Sequence, residues 1–191
     1  MLVKNLLLEL QTNYFKIMAS DKSDIFELIE SPIKMSEEQF EALWEKKPVE
    51  AQYCMIFGKT IEVPRNYAIF GQNYKFAGQE NGSSRVPDEL SEYLAYGNSI
   101  LVNWYENGDK YIGYHSDDQR GITGCTYGFS YGAERKFKFM EKATKEVTTL
   151  MLPNNSLLIM KDNTQKLYKH ALPVMKKVGR RISITVRTMS V

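Results

Sequence analysis

Hydrophobic and polar residues alternate along short segments of the C-terminal half of the chain. In "RISITVR", Ile182, Ile184 and Val186 fall on one side of an extended segment, and Arg181, Ser183, Thr185 and Arg187 fall on the other. This two-residue period, with β-branched apolar residues, predicts a strand. Similar segments separated by Gly, Asn, Asp or Pro recur from residue 98 onwards: "SILVNWY", "KYIGYHS", "RKFKFM", "VTTLML" and "SLLIMK". Many short strands at this spacing predict a β-sandwich or jelly roll.

The first fifty residues have a helical pattern instead. In "MSEEQF", Ser36 and Gln39 have the spacing of a capping box at the start of a helix. Phe40, Leu43 and Trp44 then give the apolar face of a helix that packs on something larger. A second short helix is predicted over "PDELSEYLAYG", which begins with Pro and ends at Gly. Helices first and strands later predict an α+β fold.

Composition and charge narrow the class of protein. The chain has 191 residues, of which 43% are hydrophobic and 25% are charged, as in ordinary globular proteins. Cys54 and Cys125 lack metal-type spacing, which favours free thiols in a reducing intracellular compartment, either nucleus or cytoplasm. No run approaches the length of a membrane span, and "MLVKNLLLEL" reads as an amphipathic helix rather than a signal peptide. We therefore expect no membrane partner, and we also expect a monomer.

Charge is unevenly distributed along the chain. Residues 1–50 contain 6 Lys+Arg against 10 Asp+Glu, whereas residues 161–187 contain 8 Lys+Arg against a single acid, Asp162. Such asymmetry indicates a polyanionic partner on one face, with a solvated basic surface as the alternative.

The only two histidines of the sequence have a spacing that suggests a metal site. His115 and Asp117 are two apart in "YHSDD", so on an extended chain they point the same way, and His170 follows 53 residues after Asp117. Two imidazoles and one carboxylate are the ligands of non-haem Fe(II) oxygenases. A surface histidine or a hydrogen-bonded core histidine is the alternative explanation.

The arginines of "RISITVR" provide an independent indication. An arginine inside a jelly roll needs an anion, because burying a lone charge costs several kcal/mol. A guanidinium binds a carboxylate through two parallel hydrogen bonds. Arg181 and Thr185 next to an iron site therefore predict 2-oxoglutarate, with its keto acid on the metal and its distal carboxylate on Arg181. Asn103 and Tyr105 in "NWY" add polar groups on one side of a strand, although ordinary strand polarity also explains them.

Several motifs, taken in order, resemble those of the AlkB family of Fe(II)/2-oxoglutarate dioxygenases. They are "NWYENGDKYIGYHSDD", "SYGAERKFKF", "SLLIMKDNTQKLYKHALP" and "RRISITVR", and the resemblance covers about residues 55–188. It is closest to the branch that repairs alkylated duplex DNA, which also has counterparts of "IFGKTIEVPR" and "NYKFAG". The resemblance implies a double-stranded β-helix, or jelly-roll, core. We expect an N-terminal helical extension over residues 1–50 and a dioxygenase domain over residues 51–191, with substrate-covering lid segments at 52–84.

The resemblance also implies an activity, cofactors and roles for individual residues. The activity is oxidative demethylation of 1-methyladenine and 3-methylcytosine in DNA with Fe(II), 2-oxoglutarate and O2, releasing formaldehyde, succinate and CO2. The expected metal ligands are His115, Asp117 and His170, and the expected cosubstrate contacts are Asn103, Tyr105, Arg181, Thr185 and Arg187. The expected substrate contacts are Phe57 as a finger entering the duplex, Tyr74 and Phe76 as base-covering lid residues, Asp118 reading the exocyclic amine, Arg65 and Arg135 on the substrate side, and Lys176 and Lys177 on a phosphate-binding loop.

Some positions depart from the family pattern. Met175 stands where a basic residue is expected, Gln119 replaces an acid, the connection from 120 to 131 is short, and residues 1–50 have no clear counterpart. Two alternatives stay open: the same oxygenase chemistry on RNA, protein or a small metabolite, and a binding module that recognises alkylated DNA without turnover.

Overall fold

The computed structural model describes residues 24–56, 58–72, 74–76, 79–81 and 84–190, with the backbone alone at 56, 74–76 and 79–81. In chain order its strands are β1 (Phe26–Glu30), β2 (Tyr53–Ile56), β3 (Lys59–Glu62), β4 (Asn66–Gly71), β5 (Tyr74–Phe76), β6 (Gln79–Asn81), β7 (Ser99–Tyr105), β8 (Ile112–His115), β9 (Ile122–Gly132), β10 (Arg135–Glu141), β11 (Val147–Leu152), β12 (Ser156–Met160), β13 (Tyr168–Leu172) and β14 (Arg181–Met189). The helices are α1 (Glu37–Trp44), a 3-10 helix (Asp88–Tyr96) and α2 (Thr164–Leu167).

Two antiparallel sheets form the body of the protein. The larger sheet has the strand order β1-β12-β9-β14-β7-β4, and the smaller sheet has the order β11-β10-β13-β8. Neighbours in space are mostly distant in sequence, as in a jelly roll, and the α+β prediction with a jelly-roll core is confirmed. The chain thereby brings β14 and β7 of the larger sheet opposite β13 and β8 of the smaller one.

Strand β14 is buried on both faces, and this determines where the polar residues lie. Ile182, Ile184 and Val186 are fully buried against α1 and the 3-10 helix, where Leu43, Trp44, Leu90 and Tyr93 complete an apolar cluster. The alternate residues of the strand therefore face the space between the two sheets. A second apolar cluster fills most of that space, with Phe26, Leu28, Phe137, Phe139 and Leu150 among its members.

Of the helical pattern predicted for the N-terminal residues, one helix is confirmed, and one segment forms a strand instead. Helix α1 begins with the predicted capping box, in which the Ser36 hydroxyl accepts from the Gln39 backbone and the Gln39 side chain accepts from the Ser36 backbone. Residues 26–30 were expected to be helical but form β1, which pairs with β12 of the larger sheet. The reason is that Phe26 and Leu28 are two apart and enter the core between the sheets. Residues 1–23 lie outside the described residues.

The segment between α1 and the 3-10 helix contains two small hairpins. β2 pairs with β3, and β5 pairs with β6, both antiparallel. Phe57 lies outside the described residues, as do the side chains of Tyr74 and Phe76 on β5. Among the described residues no helix has the length and apolar character needed to cross a bilayer.

Candidate active site

His115, Asp117 and His170 converge between the two sheets. His115 ends β8 and is the register partner of His170 on β13, which places their rings 4.2 Å apart between centroids. Asp117 lies two residues beyond His115, with Oδ1 3.8 Å from His115 Nε2 and Oδ2 3.9 Å from His170 Nε2. One ligand atom from each residue lies within 4.8 Å of the others. The three side chains thus form a compact set of two nitrogens and one oxygen.

Neighbouring groups orient each of these side chains. The Nδ1 of His115 is 2.9 Å from the carbonyl oxygen of Gly113, so this nitrogen donates and leaves the Nε2 lone pair directed at the set. The backbone N–H of Asp117 donates to the Gln165 side chain at 2.9 Å. The His170 ring stacks on Phe137 at 5.5 Å. Contacts within the protein thus position the two imidazole rings and the backbone of Asp117.

Asp117 is also paired with a buried arginine from the larger sheet. Arg187 on β14 donates to Asp117 Oδ2 from Nη2 at 2.7 Å and from Nε at 3.2 Å. Burial alone would raise the pKa of Asp117, but the charge of Arg187 and the nearby imidazoles hold this pKa well below its ordinary value. Burial lowers the pKa of His170 to about 3, with His115 adding to the effect. A charged carboxylate and neutral imidazoles are the forms that bind a metal, so the donor set fits Fe(II).

Beside this set, Arg181 lies in the interior with hydrogen-bonding capacity to spare. It is 2% exposed, and its Nη2 donates to the Ser130 hydroxyl at 2.8 Å. Its guanidinium lies over the Tyr105 ring at 5.2 Å. The remaining donors, Nε and Nη1, are buried without a hydrogen-bond partner among the described residues. Burial lowers the pKa of Arg181 to about 10, so it remains charged at neutral pH.

One cavity connects Arg181 to the His115–Asp117–His170 set. The polar residues that line it are Asn103, Tyr105, His115, Asp117, Ser130, His170, Arg181, Ser183, Thr185 and Arg187. All five cosubstrate residues predicted from the sequence are among them. Because a buried cation with two free donors needs an anion, the Arg181 end of the cavity fits the distal carboxylate of 2-oxoglutarate.

A second, open cleft of about 440 Å³ adjoins this cavity, and His115 borders both. The hairpin β2–β3, the segment after it and the residues around β8 line the cleft, including Cys54, Val63, Arg65, Tyr111 and Gln119. Arg65 is buried, and its Nε donates to the Asn103 side chain at 2.7 Å. The predicted substrate-side residue Arg65 therefore lies between the cleft and the cosubstrate cavity.

Gln119 lines the cleft, whereas the predicted reading residue Asp118 does not. Asp118 was expected to read a base, but its side chain is 59% exposed, lies 3.5 Å from Lys142 Nζ and does not line the cleft. Gln119 does line the cleft, and its buried Oε1 has no partner among the described residues. No two-residue alternation explains this placement, because residues 116–119 lie outside any strand, Ser116 lines the cleft beside His115, and Asp117 lines the other cavity.

Arg135 also differs from its predicted role as a substrate-side residue. Its side chain is 0% exposed, and it donates to the carbonyl oxygens of Asn107 at 3.3 Å, Lys110 at 2.8 Å and Pro173 at 2.8 Å. It thereby ties the β7–β8 turn to the loop that follows β13. Its place on β10, which points it inwards with Phe137 and Phe139, explains why it is inaccessible to a substrate.

The loop after β13 presents the two predicted phosphate-binding lysines. Lys176 and Lys177 are both exposed, and Lys177 has a positive φ of 64°. The loop is fixed at Met175, whose backbone N–H donates to the carbonyl oxygen of Gly108 at 2.9 Å. The approach is so close that a Cβ on Gly108 would lie 1.7 Å from the Met175 carbonyl oxygen. Glycine is therefore required at this point of the β7–β8 turn.

Comparison with known proteins gives the same fold and family. The model of the 2OG-Fe(II) oxygenase superfamily matches residues 84–187. The DNA oxidative demethylase ALKBH2 of Bos taurus is 35% identical over 156 residues, which are 69% of this chain and 55% of that protein. ALKBH2 of Homo sapiens is 32% identical over 154 residues, which are 69% of this chain and 59% of that protein. This chain thus spans somewhat more than half the length of these relatives.

A solved structure, that of OsALKBH1, shows the same fold with a TM-score of 0.59 at 13% identity, covering 85% of this chain and 97% of that one. The superfamily match includes β7 to β13 and all but the end of β14, the strands that carry the His115–Asp117–His170 set and Arg181. The chain therefore belongs to the 2OG-Fe(II) oxygenase superfamily and, within it, to the AlkB family in the branch of ALKBH2.

Proposed function

We propose that this protein is an Fe(II)- and 2-oxoglutarate-dependent dioxygenase that oxidatively demethylates N-alkylated bases, 1-methyladenine and 3-methylcytosine, in DNA. The observation that carries the proposal is the pair of compartments that share His115: a buried cavity with an unsatisfied arginine, and an open cleft. One compartment suits a small dicarboxylate and the other a flat substrate. A monomeric state and a reducing compartment remain predictions from the sequence.

Within the cavity, the protein's own groups determine how metal and cosubstrate would bind. His115, Asp117 and His170 would hold Fe(II), and the hydrogen bonds from Arg187 keep the Asp117 carboxylate charged and fixed. The free donors of Arg181, with the Thr185 hydroxyl, would bind the distal carboxylate of 2-oxoglutarate. When bound, iron with 2-oxoglutarate and O2 supplies the oxidising equivalents that hydroxylate an N-methyl group, giving succinate, CO2 and, on release of formaldehyde, the unmodified base.

The cleft would hold the target base outside the DNA helix. Enzymes that modify a base take it out of the stack and recognise its edge with hydrogen bonds and its face with flat side chains. Gln119 offers a buried, unpartnered Oε1, which can accept a hydrogen bond from the exocyclic amine of adenine or cytosine. This assignment transfers the proposed reading role from Asp118 to Gln119. Tyr74 and Phe76 remain predicted lid residues.

The test uses purified protein with Fe(II), ascorbate and 2-oxoglutarate, and oligonucleotides that carry 1-methyladenine or 3-methylcytosine. Unmodified oligonucleotides and omission of 2-oxoglutarate are the controls. We expect restored bases by mass spectrometry, with succinate formed in proportion. Succinate without base repair would reject DNA demethylation in favour of another substrate, and no succinate under any condition would favour a binding module. Methylated RNA in a parallel reaction distinguishes the two nucleic acids.

A further inference from the structure

The outer face of the smaller sheet carries an unusual set of charges. Strand β10 alternates, with Phe137 and Phe139 in the core and Lys136 and Lys138 outside. Strand β13 alternates likewise, with His170 inside and Lys169 outside. The register of β10 with β11 and β13 places the following residues on this outer side: Lys136, Lys138, Met140, Val147, Thr149, Met151, Lys169 and Ala171. We call this surface the lysine face, and it contains no acidic residue.

The three lysines of this face have no local partner. Within the described residues, none of Lys136, Lys138 and Lys169 forms an ion pair or a hydrogen bond through its side chain. Several lysines elsewhere on the surface are paired, among them Lys34 with Glu30, Lys46 with Glu89, and Lys161 with Glu27. The nearest acids in sequence, Glu134, Glu141 and Glu146, lie at or beyond the strand ends. The lysine face is therefore a surface on which positive charge is left uncompensated.

The lysines are spaced like the charges of a polymer rather than gathered around one small anion. Lys136 and Lys138 are two residues apart on one strand, which separates their Cα atoms by about 7 Å. Lys138 is opposite Ala171 and Met140 is opposite Lys169, so Lys138 and Lys169 are diagonal neighbours, also about 7–8 Å apart. Each DNA strand carries one phosphate per about 3.4 Å of helix axis. A row of amines at this spacing suits several phosphates and leaves none of them enclosed.

The lysine face is also close to the substrate cleft. Lys169 is adjacent in the chain to His170, on the opposite side of the same strand. β13 pairs with β8, whose residues line the cleft, so β10 is two strand spacings, about 10 Å, from the cleft edge. DNA whose base enters the cleft continues past its edge on both sides. A nucleic acid is thus favoured over an anionic membrane as the partner of this face.

We propose that Lys136, Lys138 and Lys169 bind the phosphate backbone of the DNA that flanks the target base, as a second basic contact besides the Lys176–Lys177 loop. This inference rests on the proposed function for its choice of partner. Such contacts are independent of base sequence and depend strongly on salt. They would therefore add affinity for long DNA without affecting which base is read.

The test compares three proteins: wild type, the triple variant K136Q/K138Q/K169Q, and the control K34Q/K46Q/K47Q, which removes the same charge near α1. The affinity of each for a labelled duplex of about 20 base pairs is measured by fluorescence anisotropy between 50 and 200 mM salt. Each phosphate contact contributes about 0.9 to the slope of log K against log salt concentration. We expect the lysine-face variant to lose about 2.7 from the slope and about 10- to 100-fold in affinity near 100 mM salt.

A slope and an affinity equal to those of the control variant would overturn the inference, as would undetectable duplex binding by the wild type. Thermal unfolding within about 2 °C of wild type shows that each variant is folded. Vesicles of anionic lipid form a second arm, and a variant that loses vesicle binding while retaining DNA binding would reject DNA as the partner of this face. Binding is read without turnover, so failure of base repair would reject the proposed function and leave the slope comparison intact.

Discussion

Replacing Arg181 with methionine should weaken 2-oxoglutarate binding and at the same time stabilise the protein without cosubstrate. Methionine has a similar length and no charge, so it fills the space of the arginine. In the wild type, the two unpartnered donors of Arg181, Nε and Nη1, are the groups available to a carboxylate. A hydrogen bond to a charged group contributes about 1.5–3 kcal/mol, so losing two costs about 3 kcal/mol at the lower end. That loss corresponds to about 150-fold in affinity.

The opposite effect on stability follows from the burial of the guanidinium. Arg181 is 2% exposed and has no carboxylate hydrogen-bonded to it among the described residues. Taking a charge out of water costs several kcal/mol in a protein interior, and an apolar side chain of similar volume avoids that cost. We therefore expect a higher free energy of unfolding for R181M than for wild type in the absence of cosubstrate. Added 2-oxoglutarate should then raise the melting temperature of the wild type more than that of R181M.

Two measurements test this reasoning. The apparent KM for 2-oxoglutarate is obtained from succinate formation, and urea unfolding of the cosubstrate-free proteins gives the stability. R180M is the matched control, because Arg180 is the preceding residue, exposed and ion-paired with Glu41. Its KM should equal that of wild type. A KM for R181M within threefold of wild type would refute the assigned contact, and a large loss of stability would refute the account of an uncompensated charge.

Three further predictions concern other residues. D117A should lose its bound iron and its succinate formation, because only two imidazoles remain; metal analysis of the purified variant checks this, and iron content equal to wild type would contradict it. Q119A should lower repair of 1-methyladenine about tenfold, whereas D118A should stay within threefold of wild type; the reverse order in oligonucleotide repair assays would restore Asp118 as the reading residue. R135M should lower the free energy of unfolding by about 3 kcal/mol, because three carbonyl oxygens lose their donor. The exposed R180M should lower it by 1 kcal/mol or less in the same urea titrations, and equal losses would argue against a buried clamp.

The sequence was sufficient to predict features that depend on local periodicity. The strand over residues 181–187 follows from alternation alone, and the α1 cap follows from Ser36 and Gln39. The convergence of His115 with His170 was predicted from residue types and the expected sheet. Each of these features is determined either by neighbouring residues in the sequence or by the strand arrangement expected of a jelly roll.

The sequence did not predict features that depend on which groups come into contact only in the folded protein. Strand β1 was read as helix because five residues are too few for either period to dominate, and tertiary pairing with β12 decides the outcome. Arg135 was read as a substrate contact because sequence does not show that carbonyls of two separate loops meet its guanidinium. The placement of Asp118 and Gln119 depends on how the irregular residues 116–119 run after β8, and no local periodicity predicts it.

The charges around the cavity explain why the fold maintains such an arrangement. Asp117 compensates Arg187 directly, so Arg181 contributes positive charge that the cavity does not neutralise. A divalent cation alone would add to this excess, and a dianion alone would reverse it, whereas the two together add no net charge. Binding the dicarboxylate with the metal therefore removes the charge excess that the metal alone would create beside Arg181. The cost of holding Arg181 unsatisfied is offset by β14, whose isoleucines and valine on its other face anchor the strand in the apolar cluster against α1 and the 3-10 helix.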